Sequence, residues 1–297
     1  MGFEALAKRL PEWGRLFDAQ GYAGFIEAVR AELERRAEPF SLHDSFARVG
    51  EWELPLLPLA QRCSAAPRES WPEEVRRELE RRAAEEKLGR ELDAVRGDFH
   101  KARPALKLRV QRAETVGPNA VSAPIAGALR AVLVLDLPSF VTPVRPADLA
   151  AWDRPAEQLV RQALENVKTQ EQVELKPMEI AGTRVFAVSG RSLFVATLGL
   201  AAEDLLGSTG ELGALVAMPS AHILLCHALA DARSLKALEA MAAGSLQAFE
   251  SGPDQLSPDL LWKRGDRFLA LPVRREDGEV KCELPREFDE QVAQRFS

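Results

Sequence analysis

Apolar and polar positions recur with two different periods along this chain, and the change from one to the other falls near Arg103-Pro104. Before that point spacings of three and four prevail, the mark of helices. Leu6, Leu10, Trp13, Leu16 and Phe17 make a first helical pattern, broken at Pro11 and Gly14 into helix, turn and helix start. After Gly21, the stripe Tyr22, Phe25, Ile26, Val29 and Leu33 predicts a helix that stops before Pro39. From Phe40 to Trp71 the pattern is mixed. Val49 to Leu56 alternates weakly and predicts one short extended segment, then a helical turn through Leu59, Ala60 and Cys63. Ser70 or Trp71 begins a long charged helix, with Pro72 near its first position and Glu73 and Glu74 in its first turn. Opposite charges such as Glu78 with Arg82 and Glu86 with Arg90 each support it by about 0.2–0.5 kcal/mol. Its stripe of Val75, Leu79, Leu88, Leu92 and Val95 is too irregular for heptads. The plain reading is a helix with a solvated face; a partner-binding or self-associating helix is the sharper one.

Beyond Pro104 the period drops to two. Leu106, Leu108 and Val110 share one face of a strand, and Lys107, Arg109 and Gln111 the other. Gly117-Pro118-Asn119 reads as a turn, Ile125 to Leu129 as a short helix, and Ala131 to Asp136 as a strand buried on both faces, with Phe140 to Val144 following. Asp153 as N-cap and Pro155 just inside open a helix with the stripe Leu159, Val160, Ala163, Leu164 and Val167. Val173 to Ile180, Thr183 to Val188 and Ser192 to Leu198 are strand candidates, Ala202 to Leu206 a short helix, and Gly213 to Met218 and Ile223 to Leu229 two more strands. Asp231 or Ser234 caps a last helix. Hairpins follow around Arg264-Gly265-Asp266 and Asp277-Gly278. The prediction is an α+β fold: a helical N-terminal region over 1–103, then, over 104–297, a mixed, mostly antiparallel sheet with packed helices and C-terminal hairpins.

At 297 residues the chain has room for roughly two domains of ~150 residues. Its net charge of −6 excludes a strongly basic nucleic-acid binder. No apolar run approaches the ~18 residues of a membrane helix, so no membrane span is expected. The segment from Met1 to Leu6 has neither a signal-peptide core nor a convincing myristoylation pattern. Cys63, Cys226 and Cys282 are too few and too scattered for a disulfide framework or a zinc ribbon, which fits a reduced, cytoplasmic chain.

Chemistry-bearing residues are sparse. His222 and Cys226 on a strand would lie ~13 Å apart, too far to share one zinc ion, so no metal or other cofactor is expected. Ser220 and His222, two apart, invite a hydrolase reading with Asp136 or Asp231 as the orienting acid, although the G-x-S-x-G elbow is absent. Gly207 to Gly213 is glycine-rich but runs from helix to strand, the reverse of a phosphate-binding loop. Asp136 ends a buried strand, where site residues often sit. Arg191, in a tight turn, is a candidate for binding an anion.

Asp136 after its apolar strand, the Ala163-Leu164-Glu165-Asn166 step, and the stretch Val216 to His222 with its Pro219-Ser220 turn together resemble the uncharacterised bacterial YtpQ-type family. The resemblance covers about Leu106 to Val273. It implies a cytoplasmic α/β fold and no mechanism, and where the family has Arg-Asp after Pro-Ser this chain has Ala221-His222. The leading expectation for function is a non-enzymatic protein that binds another protein, as an adaptor or as an immunity-type inhibitor of a basic partner; the hydrolase is the alternative.

Overall fold

The computed structural model describes residues 11–296 except Ala37 and Ala181; Leu6, Leu10 and the segment from Met1 to Leu6 lie outside the described residues, as does the side chain of Trp13. The fold is α+β, and every described strand pair is antiparallel. By its contacts the chain divides into two units, Met1–Ala94 and Val95–Ser297.

In the first unit, helix α1 (Ala19–Arg35) is capped by Asp18, whose carboxylate accepts from the Gly21 N–H at 2.5 Å. Its stripe of Tyr22, Phe25, Ile26, Val29 and Leu33 is buried, as the spacing predicts. A three-stranded sheet follows, β1 (Phe40–Leu42), β2 (Phe46–Val49) and β3 (Trp52–Pro55), where the sequence predicted one short extended segment in a helical region. Its inward residues are Ala47, Val49, Trp52 and Leu54. Gly50, at φ +56°, makes the turn that shifts the alternation between Val49 and Trp52 and so hides the period. Helix α2 (Leu56–Ser64) is the expected helical turn, and α3 (Trp71–Arg96) the expected charged helix, buried only at Trp71, Val75, Glu78 and Leu79.

The second unit is layered. Strand β4 (Leu106–Arg112) pairs along one edge of β6 (Leu129–Leu137), while β5 (Ser122–Pro124) and β7 (Phe140–Pro143) share the other. A larger sheet is built from β8 (Glu174–Ile180), β9 (Thr183–Ser189), β10 (Ala214–Ser220), β11 (Ile223–Ala228), β12 (Leu260–Arg264) and β13 (Arg267–Leu271), in the order β13-β12-β10-β11-β9-β8. All seven residues of central β10 are buried. Leu215 and Ala217 face a core with Leu238, Met241 and Leu246 of helix Arg233–Ser251. Val216 and Met218 face a second core with Val110, Val132 and Val134 of the smaller sheet. β14 (Val273–Glu276) and β15 (Glu279–Cys282) close the expected hairpin on Asp277 and Gly278, both at positive φ.

Three expectations need correction. Ile125 to Leu129 is not a helix but the turn from β5 into β6: Gly127 stands at φ +55° and the Leu129 N–H reaches the Ala126 carbonyl at 3.0 Å. Asp153 does not cap the next helix; at φ +47° it ends the short helix Pro146–Trp152, and Pro155 precedes Ala156–Gln170. Ser192 to Leu198 is not a strand. Val195–Ala201 is a run of 3-10 turns, buried from Val195 to Gly199, and a segment apolar on all sides carries no period by which to distinguish the two.

Candidate functional site

The turn between β10 and β11 carries Ser220 and His222 and is held by backbone hydrogen bonds on both sides. Pairing of β10 with β12 ends at Ala217 and Leu260. Past it, residues 254–257 take over: the Ser257 and Leu256 N–H groups donate to the Met218 and Pro219 carbonyls at 3.2 and 2.9 Å, and the Ala221 N–H donates to the Asp254 carbonyl at 2.9 Å. On the far side, the Ala196 and Gly190 N–H groups donate to the Ala221 and His222 carbonyls at 3.1 and 3.2 Å. These bonds satisfy the buried backbone polar groups of the turn and fix where its side chains point.

His222 is thereby set between two acceptors. Its Nδ1 lies 3.1 Å from the Ser192 carbonyl and its Nε2 lies 2.9 Å from Asp254 Oδ2. A carbonyl and a carboxylate both accept, so each ring nitrogen is directed at an acceptor and neither contacts a hydroxyl or thiol that could serve as a nucleophile. Ser220 is fully buried, and its hydroxyl accepts from the His222 backbone N–H at 3.3 Å. Sequence neighbours are brought together here, but through the backbone and not through the imidazole. Neither acid named from the sequence orients the ring: Asp136 is paired with Lys107 at 2.8 Å, and Asp231 with Arg233 at 2.5 Å. The acid that does so, Asp254, stands in the turn-forming run Ser251-Gly252-Pro253-Asp254 at φ +49°, a conformation Asp tolerates better than most residues. That turn chemistry was its only sequence signal.

Lys107 and Arg109, which share a face of β4, lie opposite Val134 and Val132, so their face is turned into the core between the sheets. Lys107 Nζ sits between Asp136 Oδ2 at 2.8 Å and Glu171 Oε1 at 2.5 Å, and 4.7 Å from the centre of the Phe194 ring. Burial pushes the ammonium down, but the hydrogen bonds to Asp136 and Glu171 outweigh it and hold Lys107 above its ordinary value. This is where the structure places Asp136: it is one half of the counter-charge for a buried cation.

His227 is a neutral core histidine. Its Nδ1 donates to the Arg184 carbonyl at 2.8 Å, its Nε2 meets the Ser234 hydroxyl at 3.0 Å, and that hydroxyl accepts from the Ala230 N–H at 3.2 Å. Burial pushes the imidazole below its usual range. Burial also pushes up all three thiols, Cys63 to about 11, Cys282 to about 12 and Cys226 further, so each is a poor nucleophile at neutral pH. Among the described residues, no three His, Cys, Asp or Glu side chains are grouped to hold a metal ion, and no helix is long and apolar enough to cross a membrane. Gly207, Gly210 and Gly213 all take positive φ in the connection between helix Ala202–Leu206 and β10.

Arg191 is exposed and lines a groove with Gln172, Val173, Glu174 and Ser189, at one end of the hairpin of β8 and β9. Arg184 lines a second groove at the other end, with Met178 and Glu179. Between them runs β8, an edge strand that among the described strands pairs with β9 alone and is exposed from Glu174 to Glu179. Leu175 and Met178 are 44% and 38% exposed. No family model, curated protein or solved structure matches the chain.

Proposed function

We propose that the chain acts by binding a protein partner, and that the partner docks as an added strand on the outer edge of β8. The observation that carries this reading is the exposure of that strand along nearly its whole length, with apolar Leu175 and Met178 set among Glu174, Lys176 and Glu179. An unpaired edge offers a row of backbone donors and acceptors, and exposed apolar side chains add pockets for specificity. The grooves holding Arg184 and Arg191 flank it. A net charge of −6 favours a basic partner, as an adaptor or an immunity-type inhibitor would have. The hydrolase reading has no comparable support, since both ring nitrogens of His222 are taken up by Ser192 and Asp254.

The test is affinity capture from native lysate with the wild type and with the double variant Leu175→Lys/Met178→Lys, whose positions lie outside the core. One stoichiometric partner, weakened by salt and lost in the variant, is expected. A partner held equally by both, or none after cross-linking, overturns the reading. Light scattering on the purified chain completes the test: a dimer that the variant breaks makes the occupant a second copy. A short toxin-like gene next to this one selects the immunity version.

A further inference from the structure

Two cations share the inward face of β4, Lys107 buried and Arg109 half-buried, and only Lys107 is matched. Lys107 has Asp136 and Glu171; among the described residues no hydrogen bond or ion pair reaches the Arg109 guanidinium, whose Nε is buried without a partner. The carboxylate whose field it feels most, Asp254, is already engaged by His222 Nε2. Burial accordingly pushes the Arg109 guanidinium below its ordinary value, with Asp254 offsetting part of the effect. A donor atom buried without a partner is costly and is rarely retained without compensation, and in Arg109 that atom is the Nε. Arg109 opens on a pocket of about 330 Å³ whose wall includes Gln111, Arg112, Thr115, Asp254 and Gln255. Arg112 spends one terminal nitrogen on Glu114 at 2.8 Å, while its own Nε is likewise buried and unpartnered. A pocket of this size suits a small ligand, and a guanidinium fork is the side chain best shaped to grip a carboxylate or phosphate.

We propose that this pocket binds a small oxyanion, a carboxylate or a phosphate, through Arg109 with Arg112 beside it. The proposal is independent of the partner-binding edge at β8. It is tested by calorimetric titration with inorganic phosphate and, separately, with succinate, at constant ionic strength set by sodium chloride, on the wild type, Arg109→Met and the surface control Arg286→Met. One-site binding of one of the two anions is expected, weakened at least about tenfold in Arg109→Met and unchanged in Arg286→Met; which anion binds identifies the source. Absence of binding by both anions, or equal binding by Arg109→Met, overturns the proposal. Thermal unfolding without added anion gives a second readout. Removing an unmatched charge leaves the midpoint of Arg109→Met equal to or above the wild type, as for a site that sacrifices stability for function. A lower midpoint shows that Arg109 serves the fold instead and also overturns it.

Discussion

Replacing Lys107 with Met tests whether the second unit depends on a cation in its core. The substitution keeps most of the side chain's volume and removes the charge together with its hydrogen-bond donors. Glu171, with its side chain 8% exposed, then loses the only cation in contact with it among the described residues, while Asp136, 31% exposed, keeps access to water. Breaking a buried pair by removing one partner costs ~3–5 kcal/mol. The lower end is expected here, about 3 kcal/mol, because Asp136 rehydrates and Glu171 alone is stranded. Native-state hydrogen exchange at the β4 and β6 amides reads this within the unit concerned, free of any unfolding elsewhere in the chain. The double variant Lys107→Met/Glu171→Leu should recover more than half of the loss, since apolar replacement of a whole buried pair is close to neutral. A loss below about 1 kcal/mol in the single variant, or a double variant worse than the single, refutes the argument that this cluster is a desolvated charge triad.

Other consequences are equally open to measurement. His227 is held below its ordinary value, so its contribution to stability is complete above the unfolded value of about 6.5 and is lost as pH falls toward the folded one. His227→Gln should therefore flatten the fall in urea midpoint below about pH 6.5, and parallel profiles for the two proteins contradict this. A Cβ at Gly199 would stand 2.6 Å from Met218 Cε, 2.8 Å from Leu224 Cδ1 and 2.9 Å from Val216 Cγ1, all in a packed core. Gly199→Ala should cost about 1–3 kcal/mol in thermal or urea unfolding, and an unchanged midpoint shows the core to be looser than its contacts imply. The three thiols should label at neutral pH at least about a hundredfold more slowly than a peptide cysteine, until the chain is unfolded; rapid stoichiometric labelling of the native protein counts against their burial.

The sequence revealed elements wherever period and turn chemistry agreed. The two-residue alternation of β4, the apolar run of β6, and the hairpins at Gly265 and Gly278 are all in place, because each depends on residues close together in the chain. It failed where the environment is apolar on every side, as at Val195–Ala201, or where one glycine shifts the phase, as at Gly50 between β2 and β3. The site was less legible than the fold. His222 and Ser220 were visible as residue types, but Asp254 meets His222 across 32 positions of sequence, and Glu171 meets Lys107 across 64. Nor did alternation disclose that the polar face of β4 is turned inward, since that depends on where the second sheet lies.

Pro177, opposite Phe186 in the middle of β8, gives the exposed edge a stop codon of its own. Proline is tolerated in a strand where its nitrogen faces away from the ladder, which leaves the outer edge without a donor at that one place. A strand that docks there must skip a hydrogen bond at that position, so its register is anchored rather than free to slide. The same gap works against endless edge-to-edge growth of like copies, the route by which open sheets become fibres. One residue thus separates an edge that can be recognised from an edge that polymerises.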